Sequence, residues 1–160
     1  RLTHKMKQGR IMKEWTRENC PQATLVDAAE AALAYAYAPY SHFQVGAALL
    51  DTDGKIWSGC NIENAAFSPG TCAERTALYK AVSEGAQSFS AIAVVGRHEG
   101  MQALTEAFTT PCGVCRQALT EFCAPDMPVF LADAGGNVGE FTLKELLPYS
   151  FGPKDLDEEH

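Results

Sequence analysis

Ala91-Ile92-Ala93-Val94-Val95-Gly96 and Pro128-Val129-Phe130-Leu131-Ala132 are the two continuous apolar runs whose reading decides the fold, because a helical pattern over 112–122 lies between them. A strand covered on both faces has no polar side and reads as an unbroken apolar run. Strand, helix and strand in that order imply a parallel pair joined by a right-handed crossover. Downstream, 138–142 predicts an edge strand and 143–147 a short helix that ends before Pro148. Upstream, Ala73, Ala77, Leu78, Ala81 and Val82 recur at helical spacing over 72–84, and Gly85 stops that helix. Further back, 43–50 and 55–62 read as two strands joined by a turn at Asp51-Thr52-Asp53-Gly54, whose Asp-Gly pair tolerates positive φ. Leu25, Ala28, Ala29, Ala32, Leu33 and Ala36 predict an amphipathic helix over 23–37, which Pro39 ends. These elements assemble into an α/β domain, a three-layer α/β/α sandwich with a mixed sheet of about five strands.

The chain is long enough, at 160 residues, for one domain with its own core, and 46% hydrophobic with 21% charged residues is ordinary for a folded protein. Residues 1–20 are polar and basic and read as an N-terminal extension outside the core, with 21–160 as the single folded domain. A formal net charge of -7 works against binding a phosphate backbone, so nucleic acid is not the expected partner; a small uncharged or cationic molecule is. No stretch approaches the roughly 20 apolar residues of a membrane helix, and a cytoplasmic protein is expected. The six cysteines fit reduced thiols better than a secreted disulfide framework.

Three of those cysteines carry the chemistry. Cys112-Gly113-Val114-Cys115 opens a helix after Pro111, where the free amides and helix dipole favour thiolates. Alone, this pair is ambiguous between half of a structural zinc ribbon, a redox pair and chance. Cys72 also begins a helix, and Glu74 follows two residues later. A structural zinc site normally closes with four Cys or His ligands, whereas a catalytic one keeps three and an open position. Cys60 is the fourth ligand of the structural alternative, although its strand context favours a buried thiol. Glu74 diverges from Cys72 along the helix, which spares its carboxylate to move protons for a water activated by the metal. Three thiolates around Zn²⁺ leave net negative charge, which Arg75, and less clearly Arg116, can offset by donating hydrogen bonds to sulfur.

Cys72-Ala73-Glu74-Arg75-Thr76-Ala77 with Pro111-Cys112-Gly113-Val114-Cys115-Arg116-Gln117 resembles the cytidine deaminases of the small homotetrameric zinc-dependent type. The resemblance extends to 38–49, 59–67 and Glu145-Leu146-Leu147-Pro148 with Phe151, and so covers about 23–156. It implies one Zn²⁺ per subunit, held by Cys72, Cys112 and Cys115, with Glu74 as the catalytic acid and base. It also implies that Asn61 and Glu63 bond the ribose hydroxyls, that Phe43 packs against the nucleoside, and that Ala73 and Cys112 offer backbone contacts near the base. Phe151 corresponds to an aromatic contributed to a neighbouring subunit's site, which implies a homotetramer with sites completed across interfaces. Phe67 departs from the family, which often has Tyr there with a hydroxyl near the sugar, so weaker nucleoside binding is expected. The implied activity is hydrolytic deamination of cytidine and 2′-deoxycytidine to the uridine nucleosides and ammonia, in pyrimidine salvage. Deamination of a nucleoside antibiotic such as blasticidin S, polynucleotide editing and a zinc-stabilised module without turnover are the competing readings.

Overall fold

The computed structural model describes residues 13–156 and, for the backbone alone, 6–7 and 10–11. The latter form a two-stranded antiparallel ribbon, β1 (Met6–Lys7) with β2 (Arg10–Ile11). The main sheet takes β3 (Lys13–Thr16), β4 (Phe43–Asp51), β5 (Ile56–Cys60), β6 (Phe89–His98), β7 (Pro128–Ala132) and β8 (Asn137–Thr142) in the order β3-β8-β7-β6-β4-β5. β6 and β7 pair in parallel, Ile92 opposite Val129 and Val94 opposite Leu131, while the other pairs are antiparallel. The two apolar runs thus lie side by side at the sheet centre, as their composition requires.

Alternation along these strands sorts side chains into two layers. Ala47, Leu49, Ile92, Val94, Val129 and Leu131 face α2 (Ala73–Ser83) and α3 (Gly113–Thr120), packing with Ala73, Ala77, Leu78, Ala81 and Leu119. Ala48, Ala91, Ala93, Val95, Phe130 and Val138 face the opposite way onto Leu25, Val26, Ala29 and Leu33 of α1 (Ala23–Ala32) and the 3₁₀ turn Leu33–Tyr35 that follows it. Helices therefore cover both faces, and the three-layer expectation holds.

The sheet has six strands where about five were expected, and the additional one is β3, drawn from the segment read as an N-terminal extension. Its polar, alternating sequence hides it, because an edge strand meets a neighbour on one side only. Trp15 marks it: the indole packs against the α1-side core and donates from Nε1 to Glu140 Oε2 at 2.8 Å. Arg17 then bridges Asp27 and Glu30 of α1, and Cys20 is buried. Residues 1–12 of that segment, apart from the ribbon backbone, lie outside the described residues, as do residues 157–160 of the expected domain. Among the described residues no helix is long and apolar enough to cross a membrane.

Two glycines set how closely helices approach the sheet. A Cβ on Gly46 would fall 2.0 Å from the Ala29 carbonyl oxygen, and one on Gly59 would fall 2.5 Å from Ala77 N and 2.7 Å from Ala73 O. Gly59 thereby lets the first turns of α2 lie directly on β5. That contact fixes the height of Cys72 and Glu74 above the sheet.

Candidate metal centre

Cys72 is the N-cap of α2 and Cys112 the N-cap of α3, each in extended backbone and without a side-chain cap. Their carbonyls accept the first helical bonds, from Thr76 N and Arg116 N, both at 3.0 Å. Two helix N-termini therefore present amides and positive dipole ends to one place, where thiolates are favoured. Cys115, in the first turn of α3, is fully buried and completes the group.

The sulfurs of Cys72, Cys112 and Cys115 lie within 4.8 Å of one another, and those of Cys72 and Cys112 are 3.7 Å apart. Tetrahedral zinc with Zn–S of about 2.3 Å has an S···S edge of about 3.8 Å, so this spacing fits the metal. Among the described residues this is the one cluster able to hold a metal ion, and neither Cys60 nor Glu74 belongs to it. The missing fourth protein ligand is what separates an open site from a closed structural one. Cys60 is instead a buried thiol on β5, pushed up in pKa chiefly by burial.

Charge around the cluster favours the thiolate at Cys72. The Cys72 thiol is pulled down to about 5, first by a hydrogen bond from the Cys115 thiol and then, against burial, by the Arg75 guanidinium and Cys112. Cys115 moves upward, because it donates that bond and is itself buried. Arg75 Nη2 approaches Cys72 Sγ at 3.7 Å, and contact with the sulfur holds the guanidinium in its charged form. Its Nε is buried without a hydrogen-bond partner, a cost that compensation by nearby negative charge explains. Arg116 does something else: its Nε donates to the Pro111 carbonyl at 2.7 Å and its Nη1 to Leu146 O at 2.5 Å, clasping the entry to α3 onto α4 (Leu143–Leu146).

Glu74 is 3% exposed. Burial pushes its pKa up to about 7 and the neighbouring Cys72 charge adds to this, opposed by its own amide and by a hydrogen bond from Cys115. A carboxyl balanced near neutrality beside a metal cluster can both accept and release a proton.

A cavity of ≈ 540 Å³ opens beside Cys72 and Arg75 and runs to Asn61 and Glu63, with Tyr40 and Phe67 at its walls. Its volume lies within the roughly 300–1,000 Å³ of small-molecule sites. Asn61 sits just past β5, where its Oδ1 accepts from Val45 N and its Nδ2 donates to Phe43 O, both at 2.8 Å. Glu63 takes hydrogen bonds from Tyr40 N at 2.9 Å, Ser41 N at 3.2 Å and the Ser41 hydroxyl. These bonds, the one from the Ser41 hydroxyl first, hold its carboxyl below the usual range.

Of the site residues expected from the sequence, Asn61, Glu63, Cys72 and Arg75 share this cavity, with Ala73 and Glu74 on the adjoining turn of α2. Phe43 does not line it; its ring stands edge-on to His98 at 5.1 Å between centroids. Phe151 is also outside it, 58% exposed, with its carbonyl accepting from Gln117 Nε2 at 2.9 Å. The sequence reading missed Ser41, whose signal was no more than a turn after Pro39, and Thr71, which had none.

Comparison with known proteins agrees with this geometry. The family profile described as the cytidine and deoxycytidylate deaminase zinc-binding region matches residues 20–131. A cytidine deaminase of Sporosarcina psychrophila is 53% identical over 121 residues, 76% of this chain and 84% of that protein. The crystal structure of cytidine deaminase from Burkholderia pseudomallei superposes with a TM-score of 0.74 at 44% identity, covering 82% of this chain and 100% of that one. The structure of the Mycobacterium tuberculosis cytidine deaminase gives 0.68 at 34% identity, covering 84% and 99%. On the profile match, the identity and the shared fold, the chain belongs to the cytidine and deoxycytidylate deaminase family.

Proposed function

We propose that this chain is a zinc-dependent hydrolase that deaminates cytidine and 2′-deoxycytidine to uridine and 2′-deoxyuridine, releasing ammonia. The observation that carries the reading is the junction of a three-thiol cluster, the buried Glu74 against it, and a cavity that leads from Cys72 to Asn61 and Glu63. Cys72, Cys112 and Cys115 hold one zinc per subunit, which when bound supplies the Lewis acidity that makes water a nucleophile near pH 7. Glu74 takes the proton of the attacking water and delivers it to ring N3. As the water oxygen adds at C4, the exocyclic amine becomes the leaving group. Glu74 takes the second proton from the new C4 hydroxyl and passes it to the amine, so that the C4–N bond breaks, ammonia departs and the C4 carbonyl of uridine remains. This division of labour is general to zinc deaminases. Arg75, against the Cys72 sulfur, offsets the charge of three thiolates.

Asn61 and Glu63 recognise the sugar hydroxyls and Ala73 offers its backbone near the base, while Phe43, which stands against His98 outside the cavity, packs against the nucleoside only if its ring turns towards it. Exposure of Phe151, Phe67 and Tyr149 in the single chain supports a homotetramer in which Phe151 completes a neighbouring site. Residues from 21 onward act as the single catalytic domain, edged by β3, in the cytoplasm and in pyrimidine salvage.

The test is to incubate the purified protein with cytidine and follow uridine and ammonia, with and without a chelator. Stoichiometric conversion, lost on chelation and restored by Zn²⁺, is the expected result. A zinc-replete protein that yields no uridine, or that prefers blasticidin S in a parallel assay, contradicts the reading.

A further inference from the structure

Three donors from two consecutive residues converge on Glu63. The Tyr40 and Ser41 amides bond Oε2, and the Ser41 hydroxyl bonds Oε1. The same hydroxyl accepts from Phe43 N at 3.1 Å, so its proton and a lone pair are both committed. A carboxylate offers about four acceptor positions, and three donors leave one, on Oε1. Ser41 and Glu63 both line the cavity that ends at Cys72. Of the three donors, two are backbone groups that survive any side-chain replacement; the Ser41 hydroxyl alone fixes Oε1.

We propose that Ser41 is a positioning residue for the sugar, its hydroxyl locking the Glu63 carboxylate so that the remaining acceptor site of Oε1 is presented to a ribose hydroxyl. The inference rests on the reading of Glu63 as a ribose-binding group. An acceptor already held in place loses little freedom when the hydroxyl arrives, which is where preorganisation contributes to affinity. The hydroxyl also ties Glu63 to the backbone at Phe43, so that the cavity wall and the start of β4 move together.

The experiment compares cytidine with 2′,3′-dideoxycytidine, which lacks both candidate hydroxyls, on the wild type, Ser41→Ala, Ser41→Thr and Glu63→Gln, with zinc content measured for each. Ser41→Ala is expected to raise KM for cytidine about tenfold with kcat nearly constant, the loss of one hydrogen bond to a charged group. On 2′,3′-dideoxycytidine the same variant should lose less than about twofold in kcat/KM, and Ser41→Thr, which keeps the hydroxyl, should recover most of the cytidine loss. An equal penalty on both substrates overturns the proposal, since it marks damage to the fold. So does a cytidine KM that Ser41→Ala leaves alone while Glu63→Gln raises it, which spares the reading of Glu63. A Glu63→Gln protein with no sugar-dependent penalty overturns both.

Discussion

At the metal centre Cys115 is fully buried and Glu74 3% exposed, whereas at the cavity rim Tyr40 is 50% and Phe67 78% exposed. The first region stands on helix N-termini packed against the sheet, and the second on the loops after the 3₁₀ turn Leu33–Tyr35 and after β5. Cys115 and Glu74, buried and placed by close-packed backbone, have one position available to them, and the half-buried Cys72 and exposed Cys112 are held at the same helix N-termini. Rim groups are placed by individual hydrogen bonds, such as those from Tyr40 and Ser41 to Glu63, and can be retuned one at a time. Changes to the thiols or to the backbone beneath them should therefore act on metal, fold and turnover together, changes to Glu74, which is outside the thiol cluster, on turnover alone, and changes at the rim on substrate affinity.

Gly59→Ala attacks the rigid region without touching a thiol. The added methyl meets backbone of α2, at Ala77 N and Ala73 O, which cannot rotate away. Overpacking of this kind costs about 1–3 kcal/mol, and the displacement of α2 should carry Cys72 away from Cys112. The expected outcome is a lower melting temperature together with weaker zinc retention in a chelator competition. A variant that is destabilised yet holds zinc as tightly as wild type would uncouple the helix from the cluster.

Phe67→Tyr tests the rim and should have the smaller effect. Phe67 has positive φ, 55°, stands edge-on to Tyr40 at 6.3 Å, and lies on the cavity wall. A hydroxyl there would supply the polar contact near the sugar that the resemblance leads one to expect at this position. One net hydrogen bond is worth about 0.5–1.5 kcal/mol, so KM for cytidine should fall roughly two- to tenfold while kcat changes little. A variant with altered kcat and unchanged KM would contradict the division between centre and rim.

The same division explains what could be read from the sequence. The central strands were legible because burial on both faces writes an unbroken apolar run, and the observed β7 spans the same residues, Pro128–Ala132. The edge strand β3 was not, because Lys13, Glu14 and Thr16 look like any solvated segment and Trp15 alone betrays a buried side. The thiol cluster was legible because its spacing is local: Cys72 with Glu74, and Cys112 with Cys115. At the rim Asn61 and Glu63 were legible through the family resemblance, but the anchoring of Glu63 was not, since Ser41 and Glu63 meet across 22 residues through an amide and a hydroxyl that no local spacing encodes. Arg116 is a further case, adjacent to Cys115 in sequence yet turned to the carbonyls of Pro111 and Leu146.

The central claim is that Glu74 moves protons and does not bind metal, and the most direct measurement is turnover of cytidine by Glu74→Gln at full zinc occupancy. The account predicts one zinc per chain, an unchanged fold, and kcat lower by about 10²–10⁴-fold, the size of a lost general acid and base. Near-normal turnover with zinc in place would contradict it, as would loss of the metal.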